Sequence, residues 1–243
     1  MGIMDEIVSK PYSGAPKGII YGEPGIGKTT FAAGADGHII LDCENGANHL
    51  ACTKSPYLNS WADIKRWLVG IRDEEHPYKV VVIDTVDWMI RRLTTHIIQS
   101  DGNEATLTLN RCHGGYGEGK GLREATIFRS ILPTLDQITN RGIAVVLLAH
   151  AHRQKVTDSE GIEFDKCGPD LPSECLSVFV EWSDFVCMAR TDGDKRWLQT
   201  KGDDRVIAKS RYPIAPAVKM EWSAFAGAIK STRAETTTET KGQ

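Results

Sequence analysis

The residues Gly22-Glu23-Pro24-Gly25-Ile26-Gly27-Lys28-Thr29 fit the pattern G-x-x-x-x-G-K-[ST]. In that pattern backbone N–H groups wrap phosphate oxygens, the lysine reaches the terminal phosphates and the hydroxyl ligates magnesium. The chemistry requires a strand before the loop and a helix after it. Lys17 to Tyr21 reads as a short buried strand and Lys28 to Ala35 as the opening of a helix, with Thr30 grouped with the phosphate-binding residues. An ordinary glycine turn is the competing reading. The pattern in this setting implies binding of ATP with Mg²⁺ over Gly22 to Thr30.

Three further polar residues follow strand-like runs. His38-Ile-Ile-Leu-Asp42 leads to Cys43-Glu44, Lys79 to Ile83 leads to Asp84, and Ile143 to Leu148 leads to Ala149-His150. In open α/β sheets ligands sit at the C-terminal edge of the strands. Glu44 can then face the γ-phosphate, and Asp84 can join Thr29 in holding Mg²⁺ through its water shell. His150 can touch the γ-phosphate and relay its presence to the next loop. Plainer readings stand beside these: Asp84 as cap of the helix beginning near Val86, and His150 as a satisfied structural histidine. Asp84 is followed by Thr85-Val86-Asp87, without the adjacent glutamate usual in AAA+ machines. Glu44 is the best-placed base, and Asp87, one turn into the next helix, is the fallback.

These groups must be positioned by a sheet and its flanking helices. With 243 residues and 41% hydrophobic content, the chain can bury the core of one large α/β domain. The expected division is an N-terminal arm over 1–16, a domain over 17–230 and a disordered Thr/Glu/Ser-rich tail over 231–243. The arm is either a loose leader or a segment that docks on a neighbouring subunit. Helices are expected over Ser60 to Gly70, where Ser60 and Asp63 resemble a capping box, and over Val86 to about Ser100. Two more are expected over Leu122 to Asn140, kinked or restarted at Pro133, and over Pro172 to Trp182. A strand over Asp184 to Arg190 and a hairpin pairing Arg196–Thr200 with Arg205–Lys209 complete the domain. The longest uncharged apolar run, Gly142 to Ala149, is too short to cross a bilayer, so a cytoplasmic location is expected. Six cysteines without C-x-x-C spacing read as buried reduced thiols.

A net charge of −3 does not announce nucleic acid, so any DNA binding must come from local clusters. Asp101 to Gly121 has glycine at 114, 115, 117, 119 and 121 and reads as a mobile loop. Arg111, His113, Tyr116, Lys120 and Arg123 interleave cations with an aromatic, a composition that stacks a base and neutralises backbone phosphates. A merely solvated loop is the alternative. Residues 151–170, with His152, Arg153, Lys155 and Lys166, read as a second polar loop directly after His150. Arg111, Tyr116, Lys120, Arg123, Arg153 and Lys155 are the expected DNA contacts.

The order of phosphate loop, Glu44, Asp84, His150 and hairpin resembles the core of the RecA-like recombinases. The implied fold is a RecA-like P-loop NTPase core, a mostly parallel central sheet flanked by helices with a C-terminal β-hairpin. Ile40-Leu-Asp-Cys-Glu44 looks like the recombinase strand that delivers the glutamate activating the attacking water. Leu148-Ala-His150 falls where those proteins place a polar γ-phosphate sensor. Lys209-Ser-Arg211-Tyr-Pro-Ile-Ala-Pro216 looks like the segment that sends cations across a filament interface into a neighbour's ATP. The implied catalytic set is Lys28, Glu44, His150, Lys209 and Arg211. The glycine-rich Tyr116 loop, the Ala149-His150-Ala-His152 run and the compact length are more similar still to phage-encoded RecA-like ATPases, the Sak-type single-strand annealing proteins. The resemblance covers roughly residues 17 to 222. It departs from bacterial recombinases at His150, where they have glutamine, and in lacking their terminal domains, which puts full strand exchange in doubt.

What the resemblance implies is a DNA-stimulated, Mg-dependent ATPase acting on single-stranded DNA in homologous recombination and promoting annealing. It would work as a homo-oligomer, ring or filament, and a single-stranded DNA binding protein is a further partner the resemblance implies. Two other readings stay open: a recombination mediator that uses nucleotide as a structural switch with little turnover, and a P-loop small-molecule kinase.

Overall fold

The computed structural model describes residues 14–102, 108–157 and 160–239. The first strand, β1 (Lys17–Gly22), is followed by α1 (Lys28–Ala33), β2 (His38–Asp42) and α2 (Trp61–Asp73). Next come β3 (Val80–Asp84), α3 (Val86–Ser100), α4 (Glu118–Thr126) and α5 (Leu132–Asn140). The second half contains β4 (Ala144–Thr157), β5 (Glu163–Pro169), α6 (Ser173–Trp182), β6 (Phe185–Asp192) and β7 (Lys195–Gln199). Two short strands, β8 (Lys209–Ser210) and β9 (Ala217–Lys219), precede α7 (Trp222–Glu239).

The sheet runs β2-β3-β4-β1-β6-β7-β9. Its first five members are parallel, and β7 and β9 are antiparallel additions. Val80 to Asp84 is buried throughout, because a central parallel strand is covered on both faces and its β-branched run has nowhere else to go. One core layer, with Ile19, Leu41, Ile83 and Leu147, packs under α2, α3, α5 and α6. The other, with Ile20, Val82, Phe185 and Leu198, packs under α1 and α7 through Phe31, Phe225 and Ile229. The alternation of Ile19 and Ile20 between layers is the period of two of a strand. Ser60 caps α2, its Oγ accepting the Asp63 N–H at 3.2 Å.

The fold class agrees with the expected mostly parallel α/β core. Several details differ. Most of the loop expected over 151–170 is strand: β4 runs on past the sheet and pairs antiparallel with β5, from Ala151 opposite Pro169 to Thr157 opposite Glu163. Arg196 to Gln199 pairs with β6 and β9, not with residues 205–209. The outer edge of β6 is shared, because β7 takes Met188 to Asp192 and β8 takes Phe185 and Val186. Part of the glycine-rich segment is helical, since α4 begins at Glu118 and includes Gly119 and Gly121. A Cβ on Gly119 would collide with Cys112 Sγ and the Leu109 carbonyl, so glycine there allows close packing rather than looseness. Before Pro133, Ile127–Ile131 widens into a π-helical turn. Pro133 has no N–H to offer the Arg129 carbonyl, and the wider turn accommodates that gap. The tail expected from 231 is helical in α7 as far as Glu239, while 240–243 and the arm over 1–13 lie outside the described residues. Five cysteines are buried and Cys52 is half-buried, all as free thiols.

Candidate nucleotide site

The parallel register brings the polar strand ends to one edge. Gly22 is opposite His150, Asp42 opposite Asp84, and Asp84 opposite Leu148, two residues before His150. The phosphate loop leaves this edge with Gly25 at φ 79° and Gly27 at φ 97°, conformations glycine adopts without a Cβ penalty. Lys28 Nζ folds back to donate to the carbonyls of Gly22 at 2.8 Å and Glu23 at 3.1 Å. Burial lowers the pKa of Lys28, opposed by the carboxylates of Asp84, Glu44 and Asp87.

Thr29 Oγ1 donates to Asp84 Oδ2 at 2.7 Å, so the two oxygens expected to hold magnesium are in contact. Burial pushes the Asp84 carboxyl up to about 6; Glu44 and Asp42 add to the rise while the Thr29 bond and Lys28 oppose it. No group of three or more His, Cys, Asp or Glu among the described residues is arranged to hold a metal unaided. A hydroxyl and one carboxylate fit Mg²⁺ well nonetheless, because that ion keeps several waters and takes substrate phosphate oxygens as ligands.

Glu44 is placed by the turn after β2. Asp42 Oδ1 accepts the backbone N–H groups of Asn45 at 2.7 Å and Gly46 at 3.3 Å, and Cys43 N donates to the Asp84 carbonyl at 2.7 Å. The chain therefore folds back at once and holds Glu44 beside Thr85 and His150. Its Oε2 accepts from Thr85 Oγ1 at 3.4 Å, and its Oε1 lies 3.4 Å from His150 Nε2.

His150 is gripped from its other side by Asp87. Asp87 Oδ1 accepts the His150 backbone N–H at 3.1 Å and Oδ2 lies 2.9 Å from Nδ1. Bonds first to Asp87 and then to Glu44 outweigh burial and raise the imidazole to about 9, so both ring nitrogens carry protons. Burial alone would raise the Asp87 carboxyl, but the bonds from His150 outweigh it and hold the group below its ordinary value. The fallback base of the sequence reading is thus a positioning residue. Asp87 is 2% exposed, and nothing in its sequence context announces the pairing with a residue 63 positions away.

The other expected site residues are dispersed. Arg153 and Lys155 are exposed on the β4–β5 hairpin, and Arg153 Nη2 reaches Glu23 Oε1 of the phosphate loop at 3.5 Å. Arg111 and Tyr116 are exposed at the turns leading into α4, where Tyr116 is 104% exposed, and Lys120 is exposed in the first turn of α4 itself. Arg123 is a correction: it is 6% exposed and bound to Glu174 and Thr94, so it fastens α4 to α6 and α3 and is closed to DNA. Lys209 and Arg211 lie at the opposite end of the sheet. Arg211 bonds Asp184 Oδ1 at 3.2 Å and the Glu181 carbonyl at 2.9 Å, and Lys209 Nζ donates to that carbonyl at 3.4 Å. A cleft of about 910 Å³ between α3, α6 and the hairpin base is lined by His152, Gln154 and Asp170 and reaches Asp87.

The AAA-domain family model matches residues 15–212. The chain is also similar to the SPbeta prophage-derived uncharacterized protein YorG of Bacillus subtilis (strain 168), 24% identical over 207 residues. Those residues are 81% of this chain and 55% of that protein, so the chain spans about half the length of this curated relative. No helix among the described residues is long and apolar enough to cross a membrane.

Proposed function

The chain belongs to the AAA-domain family of P-loop ATPases, and from that premise we propose that it hydrolyses ATP while acting on single-stranded DNA in phage homologous recombination, promoting strand annealing. The observation that carries this reading is the chain Glu44–His150–Asp87. It joins the corner where a γ-phosphate would lie to the strand that continues into an exposed hairpin, on which Arg153 and Lys155 sit. The similarity to a prophage-derived protein supports the phage setting.

In this mechanism the phosphate loop and Lys28 cradle the phosphates, and Lys28 exchanges its loop carbonyls for phosphate oxygens. Thr29 and Asp84 would hold a magnesium ion that neutralises phosphate charge. Glu44 Oε1 orients a water for in-line attack and takes its proton. His150, cationic and fixed by Asp87, orients Glu44 and donates to the γ-phosphate when nucleotide arrives. His150 is continuous with Ala151 and His152 at the base of the hairpin, so its movement is transmitted to Arg153 and Lys155, where DNA phosphates would bind. Arg111, Tyr116 and Lys120 would supply the second contact, with Tyr116 stacking a base. Lys209 and Arg211 would act in a neighbouring subunit's site.

The test is ATP hydrolysis by the purified chain with Mg²⁺, with and without single-stranded DNA, over a range of protein concentrations. The expected result is DNA stimulation that rises cooperatively with protein and is abolished in Lys28→Ala. Cooperative DNA binding that requires ATP without turnover would favour the mediator reading. Hydrolysis indifferent to DNA and first order in protein would overturn the proposal and favour a small-molecule acceptor.

A further inference from the structure

The β6–β7 hairpin passes beside the phosphate loop. Ala189 is opposite Leu198 and Thr191 is opposite Arg196. Leu198 is buried against the α1 layer with Ile20 and Phe31, and Arg196, two residues earlier, shares its face. The guanidinium accordingly lies over the loop: a Cβ built on Gly27 would fall 2.5 Å from Arg196 Nη1 and 3.5 Å from its Cζ. Among the described residues the Arg196 side chain has neither a hydrogen-bond partner nor an ion-pair partner. It stands over the turn at Gly27, one residue before Lys28, with its donors uncommitted.

We propose that Arg196 binds the α-phosphate of a nucleoside di- or triphosphate held in the phosphate loop of its own chain. The inference rests on the nucleotide-binding reading of that loop. The sheet order decides which phosphate. Thr29–Asp84, Glu44 and His150 lie on the β3–β4 side of β1, where the γ-phosphate and metal would sit, whereas Arg196 comes from the β6–β7 side. A guanidinium on that flank meets the nucleoside end of the phosphate chain. It presents a planar set of donors suited to phosphate oxygens.

The test is calorimetric titration of the full chain with ADP and with ATP, in the wild type, Arg196→Ala, Arg196→Lys and Lys28→Ala. Arg196 is exposed, so its truncation removes no core packing, and an unchanged melting temperature verifies this. Arg196→Ala is expected to weaken ADP and ATP alike by roughly ten- to a hundredfold, the effect of losing a charge-assisted hydrogen bond. Arg196→Lys should recover part of the loss. Unchanged affinity in Arg196→Ala, with wild type binding normally and Lys28→Ala defective, overturns this inference alone. A loss confined to ATP overturns the α-phosphate assignment, because ADP lacks only the γ-phosphate. Failure of the wild type to bind either nucleotide removes the nucleotide reading and this inference together.

Discussion

Glu44 and His150 are separable by substitution because one would act on water and the other on charge. Glu44→Gln keeps the shape of the side chain and its contact with Thr85, so ATP binding should persist while hydrolysis falls by roughly a hundredfold or more, as for a lost general base. Wild-type turnover in single-turnover assays would move the base elsewhere. His150 makes a second measurement available. Its pKa is raised from 6.5 to about 9, so its ion pairs stabilise the fold fully below pH 6.5, and that contribution is lost as pH rises through 9. Asp87 has a lowered pKa, so its share is present above the ordinary carboxylate value and lost only in acid. The melting temperature of the wild type should therefore decline between pH 6.5 and 9 more steeply than that of His150→Gln, which cannot titrate. Parallel profiles would mean that the histidine is already neutral at pH 7. At this scale the phosphate loop, Glu44, Asp84 and His150 could be placed together because each sits at or just past the end of a buried apolar run, and those ends share an edge. Asp87 in its positioning role was not legible, since a carboxylate in the first turn of a helix reads as an ordinary first-turn acid until the fold brings His150 against it.

Arg123 and the β4–β5 hairpin show where pattern reading failed for elements. Sequence rules treat clustered glycines as breakers, yet α4 starts among them because Gly119 must pack against Cys112 and Leu109. That helix turns Arg123 inward to Glu174. Arg123→Ala removes the donor to Glu174 Oε1 and Thr94 Oγ1, leaving Glu174 only its bond from Ser173, and should cost about 1–3 kcal/mol in stability, read as a lower urea midpoint. The hairpin escaped notice for the opposite reason. Residues 152–155 are exposed on both faces, so no alternation of apolar and polar residues marks a strand there. Arg153 and Lys155 are exposed, and Arg153 contacts only Glu23 and the edge of the core at Cys167, so Arg153→Ala with Lys155→Ala should cost no more than about 1 kcal/mol of stability. If these cations bind DNA, the double variant should weaken binding of unrelated single-stranded sequences equally. The slope of log affinity against log salt should drop by about 0.7 per lost phosphate contact. An unchanged slope would place the DNA contacts elsewhere, with the Tyr116 turn next to be tested. The β6–β7 hairpin was mispaired in the sequence reading because strand propensity marks Arg196 to Gln199 as extended without saying which edge it joins; the division of β6 between β7 and β8 settles that in space.

Across the whole molecule, Lys209 and Arg211 are too far from their own phosphate loop to act there. Lys209 is opposite Val186 and Val186 is opposite Ile19, three residues before Gly22 on β1. That places Lys209 about 10 Å back along the strands and about 10 Å across two strand spacings, beyond a lysine's reach to the phosphates. In the isolated chain both cations bind groups at the end of α6 and the start of β6. If they serve a neighbour's nucleotide, a subunit needs its own phosphate loop and the next subunit's cations. Lys28→Ala keeps the cations but loses the loop's lysine; the double variant Lys209→Ala, Arg211→Ala keeps the loop but loses the cations. Each alone should be nearly inactive. Mixed in equal amounts, half the subunits have an intact loop and half of their neighbours have intact cations, so about a quarter of wild-type hydrolysis should return if assembly is random. Full activity of the double variant alone would assign Lys209 and Arg211 to fastening the sheet edge. A mixture that stays inactive, with both proteins folded and co-assembled, would remove action between subunits from the mechanism.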